Sequence, residues 1–204
     1  MSPPLPTPPR LSREERQRQT RQQLLKAASR IIARQGIAAA SVRNVAEAAG
    51  YSQGAFYSNF ADKDALLQTL MEDTLRRQAE SFQALIDDTR NDDLAQTLSR
   101  LTHWLVEQHA DRCTAMLLLE LQTHAIHQPA FARQIAPRRA HYFATFVAGI
   151  TQLRARHHPH SPLDAGQVTA GFVALWHGFN IQLASQYPID PAPVYRSFLE
   201  MALG

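Results

Sequence analysis

The chain has little that would build a secreted, membrane-bound or metal-dependent protein. Its 204 residues include one cysteine, Cys113, so no disulfide can close within the chain, and a reducing, cytoplasmic setting is expected. The N-terminus is proline-rich and then charged, which speaks against a signal peptide, and no stretch is apolar for long enough to span a membrane. Alternating apolar residues never run far enough to make a strand, and no internal repeat is evident. Nucleophile elbow, phosphate loop and glycine-rich cofactor turn are all missing. His157, His158 and His160 crowd one turn and His124 and His127 share a helix, but neither group has the spacing of a tetrahedral site. No metal, no other cofactor and no catalysis are therefore expected, and a lone thiol at a helix start reads as inert packing.

What is present is a short stretch from Ser41 to Phe60, SVRNVAEAAGYSQGAFYSNF. Ser41 is an N-cap, whose hydroxyl can accept a hydrogen bond from a free amide of the first turn. Val42, Val45, Ala46 and Ala49 follow at helical spacing, and Gly50 stands where a helix commonly ends in a left-handed residue. Ser52 is a second cap. Ala55, Phe56 and Phe60 give the next helix an apolar face and leave Gln53, Gly54, Tyr57 and Ser58 outward. Cap, apolar helix, glycine turn, cap and a second helix with a small polar face compose a helix-turn-helix, in which the second helix enters the DNA major groove. A buried helical hairpin without a partner would leave that polar face without a role.

From about Thr20 to Met71 the sequence also resembles the N-terminal domain of the TetR/AcrR family of bacterial transcriptional regulators. The resemblance rests on LLKAASRIIARQG, SVRNVAEAAGYSQGAFYSNF and ADKDALLQTLM in that order. A first helix ends in Gly36, the capped pair follows, Phe56 and Tyr57 are adjacent, and Phe60 precedes Asp62, Lys63, Ala65, Leu66 and Leu67. Tyr51 stands where a small aliphatic residue is more usual. The resemblance implies an all-α protein of about nine helices, with an N-terminal three-helix helix-turn-helix domain and a C-terminal helical ligand-binding and dimerisation domain.

Charge divides the chain in the same place. Through Lys63 there are ten Lys/Arg and four Asp/Glu, a net of +6; from Asp64 onward there are eleven and fourteen, a net of −3. All nine histidines lie in the second part. A basic front beside a mildly acidic rear suits a protein whose front meets phosphate. Residues 1–17 read as a disordered Pro/Arg-rich arm, whose arginine-rich part either extends the first helix or remains an arm that lies in a DNA minor groove or only adds non-specific attraction. Residues 18–63 read as the DNA-binding domain and 64–204 as the helical effector-binding and dimerisation domain. Helices are expected at about 18–35, from Asp62 to about Asp88, over Leu94–Leu105, from Asp111, from about Ala130 to His157, from Ser161 or Asp164 to Tyr187, and from Asp190.

The resemblance makes Ser41, Tyr57 and Lys63 phosphate contacts, which would fix register. Arg43, Ser52, Gln53 and Gly54 are the candidates for base edges: Gln can bond adenine and Arg guanine in two places, and Gly54 would let the backbone come close. A short reader gains affinity in pairs on a palindrome, so a homodimer is expected. Its face is assigned to Phe172, Leu175, Phe179 and Leu183 with Val194, Phe198 and Leu199. A small-molecule effector pocket is expected among His103, Trp104, Met116, Glu120, His124, Phe143, Phe146, Trp176 and Asn180, with Glu120 and His124 as polar contacts favouring a cationic or hydrogen-bonding ligand. The expected function is a ligand-responsive regulator, a repressor released from its double-stranded operator by effector. A helical enzyme, a DNA-binding protein without a ligand, and an activator are the alternatives.

Overall fold

The computed structural model describes residues 12–157 and 163–203. Among them the chain forms nine α-helices and no strand. In chain order these are α1 (Arg13–Gln35), α2 (Val42–Ala49), α3 (Gln53–Tyr57), α4 (Lys63–Asp88), α5 (Leu94–Ala110), α6 (Arg112–His127), α7 (Pro129–His157), α8 (Ala165–Ala184) and α9 (Ala192–Leu203), with a 3-10 turn, Ile37–Ala39, between α1 and α2.

Local signals set the helix starts. Side chains of Ser12, Ser41, Ser52, Asp62, Asp93, Asp111 and Asp164 each accept a hydrogen bond from an amide of the following first turn, which satisfies donors that the helix leaves free. Ser12 does so in a capping box with Glu15. The first helix therefore begins five residues earlier than expected from Arg18, and residues 13–17 are helix rather than arm. Residues 1–11, which hold the rest of the assigned arm, lie outside the described residues, as do His158 and His160. Gly50 ends α2 with φ 77°, a left-handed conformation that costs a side chain strain and glycine none.

Two cores run along the molecule. The first joins Leu24, Ala28 and Ile32 of α1, Val45 and Ala46 of α2, Phe56, Phe60, and Leu66 to Met71 of α4 with Leu117, Leu118 and Leu121 of α6 and Phe131 and Ile135 of α7. The second joins Phe82 and Ile86 of α4 with Leu98, Leu101 and Leu105 of α5, Ile150 and Leu153 of α7, and residues of α8 and α9. The front core therefore does not end at Lys63: α6 and the start of α7 complete it. Helices α4 and α7 pass through both cores. Gly149 lets them meet, since a Cβ there would lie 2.4 Å from the Phe82 ring. Pro137, inside α7, has no N–H to give to the preceding turn.

Candidate nucleic-acid interface and an internal cavity

The short helix α3 is anchored from below and bare above. Phe56 is 1% exposed and packs on Phe60, whereas neighbouring Tyr57 is 58% exposed. Gln53, Gly54 and Ser58 are exposed as well. The end of α3 is braced by α1: Arg21 donates to the carbonyl of Asn59 at 2.8 Å, and its guanidinium lies 4.2 Å over the Phe60 ring. The partners of Arg21 lie too far along the sequence for any local pattern to reveal them.

Ser41 and Ser52 both hold their helix starts, accepting from the amides of Asn44 and Ala55 at 3.1 and 3.2 Å. Arg43 is exposed and pairs with Glu47 at 2.8 Å, a surface contact that water and salt weaken. Gly54 has an ordinary helical backbone, and a Cβ on it would meet only the Ser52 hydroxyl at 3.6 Å. The free protein thus has room for a side chain at residue 54. Lys63 is partly turned inward: its Nζ donates to the carbonyl of Ile37 at 2.6 Å, and burial pulls the ammonium below its ordinary range against the opposing effect of Asp64. One of its three donors is therefore already used by the fold.

The same turn is held from the other side by Glu120. Its Oε2 accepts from the Ile37 amide at 2.9 Å, and Gly36 passes so close that a Cβ would touch the carboxylate at 3.4 Å. The chain separation between Glu120 and Ile37 is 83 residues, so no local pattern could pair them. Glu120 is accordingly a clamp on the DNA-binding unit and not a wall of the cavity. His124, one turn on, lies 3.5 Å from Asp64 and edges the Phe131 ring.

A cavity of about 520 Å³ lies between α4, α5, α6, α7, α8 and α9, within the usual range for small-ligand sites. Trp104, Phe143, Phe146 and Trp176 line it, together with Phe82, Tyr142 and Phe172. The other five assigned residues do not. His103 is exposed and pairs with Glu107, Met116 on α6 is half-buried outside the lining, Glu120 and His124 face the front unit, and Asn180 Oδ1 accepts from His109 Nδ1 at 2.8 Å. His109 also meets the Tyr195 hydroxyl at 2.8 Å and stacks between Trp176 and Tyr195. Burial pushes His109 below its ordinary value and Tyr195 up. That polar network was missed by sequence reasoning. Polar lining comes instead from Gln78, Gln108, Gln122, Arg139, Thr169 and His177, and Gln122 Nε2 lies 3.2 Å from His177 Nε2.

The last two helices also differ from the assignment. Phe179 and Leu199 are buried within the chain, and Phe172 packs edge-on to Phe198 with ring centres 4.8 Å apart. Leu175 and Leu183 are half-buried. The outward residues are Gln167, Ala170, Ala174 and Ile181 of α8 with Pro193, Val194, Ser197, Glu200 and Met201 of α9. Helix α8 contains no Asp, Glu, Lys or Arg along its 20 residues. No helix among the described residues is long and apolar enough to cross a membrane, and no cluster of three or more potential metal ligands occurs among them.

Residues 24–70 match the family model for bacterial regulatory proteins of the tetR family. Over 157 residues, 76% of this chain and 79% of the relative, the sequence is 29% identical to the HTH-type transcriptional regulator BetI of Stenotrophomonas maltophilia (strain R551-3). It is 39% identical over 62 residues to the HTH-type transcriptional repressor AcnR of Corynebacterium efficiens, covering 30% of this chain and 33% of that one. A chain from Rhodococcus sp. described as a TetR-family transcriptional regulator superposes with a TM-score of 0.74 at 21% identity, over 92% of this chain and all of that one. Helix-turn-helix, helical rear and both kinds of comparison agree: the front of this chain carries a tetR-family DNA-binding region, and the chain as a whole has the fold of TetR-family transcriptional regulators.

Proposed function

We propose that the chain is a ligand-responsive repressor that binds a palindromic operator as a homodimer and leaves it when a small molecule fills the cavity. One observation carries this reading: the helices that wall the cavity also hold the DNA-binding unit. Helix α4 lines the cavity with Met71, Leu75, Gln78 and Phe82, and starts at Lys63 on the Ile37 carbonyl. Helix α6 lines it with Leu118 and Gln122, and holds the Ile37 amide through Glu120. A ligand that favours one setting of these helices shifts the spacing of the two readers, and it does so only through different affinities for the two settings.

In this reading Gln53 and Gly54 approach base edges with Arg43 and Ser52, and Tyr57, Ser41 and Lys63 hold phosphates. The dimer face is the uncharged stripe Ala170, Ala174, Gly178 and Ile181 with Val194, Ser197 and Met201, because an apolar surface of this kind gains by leaving water. Leu175, Leu183 and Phe198 lie beneath it, and Phe179 and Leu199 support it from the core. Among solved structures of this fold, the multidrug binding protein EbrR holds imidazole (26% identity) and a regulator from Saccharomonospora viridis holds choline, which supports a small-molecule effector for this chain.

Selection of bound DNA from a random pool tests the reading. The expected result is an inverted repeat retained by a dimer in sedimentation. Retention of DNA without sequence preference, or of a single unrepeated half-site by a monomer, would overturn it.

A further inference from the structure

Seven aromatic rings line the cavity, and its walls carry one formal charge. That charge is Arg139: no aspartate or glutamate is among the lining residues. Arg139 stands on the exposed edge of α7 with Ala136, Ala140 and Phe143, which form the open rim. It has no hydrogen bond or ion pair among the described residues, whereas its neighbour Arg138 is paired with Glu72 at 2.9 Å. The other acids near the rim, which act on Tyr142, are Asp73 and Glu80. Both are held by Arg76. Three carboxylates near the rim thus share two arginines, and Arg139 is the guanidinium at the rim that none of them holds.

The interior opposite the rim is apolar: Phe82, Leu101, Leu105, Leu118 and Ile150 are buried. Gln122 and His177 add a neutral hydrogen-bonding pair on the wall. Burial, and then the charge of Arg139, both hold His177 below its ordinary value, so at neutral pH it adds no second cation. Aromatic faces also attract a quaternary ammonium, but a cation here would meet Arg139 with no carboxylate in the lining to offset it.

We infer that the effector is an apolar organic acid, with its hydrocarbon body among Phe82, Trp104, Phe146 and Trp176 and its carboxylate on Arg139. This reverses the cationic preference expected when Glu120 and His124 were assigned to the pocket. It rests on the ligand-responsive reading proposed above. A guanidinium binds carboxylate through two parallel N–H donors, which a hydroxyl or an ammonium cannot exploit in the same way.

The test uses the full chain and three probes of equal tail: dodecanoate, 1-dodecanol and dodecyltrimethylammonium, each below its micelle concentration. The protein has two tryptophans, and both line the cavity, so their fluorescence reports occupancy. Dodecanoate is expected to saturate the change at a concentration about tenfold below either other probe, as a charge-assisted pair at a half-open rim supplies. Arg139→Gln should erase most of that advantage and leave 1-dodecanol unchanged, while Arg133→Gln, on the same helix outside the lining, should alter neither. The inference is overturned if the ammonium binds as well as the acid, if Arg139→Gln leaves dodecanoate binding intact, or if no probe moves the tryptophans. A gel shift in the same samples separates the two levels. Operator binding that persists without any preferred acid removes the ligand class alone; loss of sequence-specific DNA binding by the untreated chain removes the wider reading.

Discussion

Front and rear of the molecule leave opposite surfaces to water. The front closes its core over Phe56 and presents Gln53, Gly54, Tyr57 and Ser58, which are small, uncharged or hydrogen-bonding. The rear closes over Tyr195 and Leu199 and presents Ile181, Val194 and Met201, besides a hollow lined by rings. A polar face on a rigid short helix suits a hydrated, charged polymer whose bases are read by hydrogen bonds. Apolar faces and hollows suit another protein surface and a small molecule. The two halves suit different partner chemistry because they differ in what the fold left unused.

The adjacent pair Phe56 and Tyr57 tests this division most sharply. Phe56→Ala removes a fully buried ring and is expected to cost about 3–5 kcal/mol in denaturant unfolding. Tyr57→Phe should change stability by less than about 1 kcal/mol, since its hydroxyl is in water. It should instead weaken binding to specific and random DNA alike and reduce the salt dependence, as loss of a phosphate contact does. A Tyr57→Phe variant with unchanged salt dependence would break the comparison. Lys63→Ala is the poorer probe, because it also strips the Ile37 carbonyl of its donor.

Next in size is the clamp between the halves. Glu120→Ala leaves the Ile37 amide without its acceptor, at a cost of about 1–3 kcal/mol. Amide exchange should quicken at Ile37 more than in α3, and operator affinity should respond less to cavity occupancy. Equal exchange in variant and parent would show that the two halves are not joined there.

Acid should separate the halves as well. His109, His157 and His177 are all held below the ordinary value of 6.5, each chiefly by burial, and the front has no histidine. Such a group takes up a proton more readily in the unfolded chain. Stability is therefore full above about 6.5 and declines as pH falls below it, until the folded state also protonates. Denaturant midpoints measured on the two sides of that value should show the drop, and a flat profile would contradict it.

The smallest effect is the most diagnostic. Gly54→Ala should stabilise the free protein by up to about 1 kcal/mol, because alanine is the better helix former and space is open. The same change should weaken operator binding. If binding is unaffected, the glycine is not there for the approach of DNA.

What could be read from the sequence follows the range of the signals. Ser41, Ser52 and Asp62 accept from amides three residues on, and Gly50 donates to carbonyls of the turn before it, so the helix-turn-helix and the start of α4 are legible in the sequence. Periodicity likewise located the rear helices, although α5 runs on to Ala110 and α8 stops at Ala184. Periodicity does not say which of two apolar faces a helix turns inward, so Phe179 and Leu199 were assigned to an interface although both are core. Glu120 and His124 were assigned to the cavity because they sit one turn apart on an apolar helix. Their partners, Ile37 and Asp64, come from the other end of the chain. The cavity's own charge, Arg139, could not be singled out from neighbouring Arg138 without knowing which of them Glu72 takes.

The most direct measurement is hydroxyl-radical footprinting of the chain on DNA taken from just upstream of its own coding sequence. The expected pattern is two protected patches related by a two-fold axis, separated by about one helical turn or a multiple of it, each lost in the Gly54→Ala variant although the variant is no less stable than the parent. Uniform cleavage, or a single patch indifferent to residue 54, would mean that the bare face of α3 is not the reader.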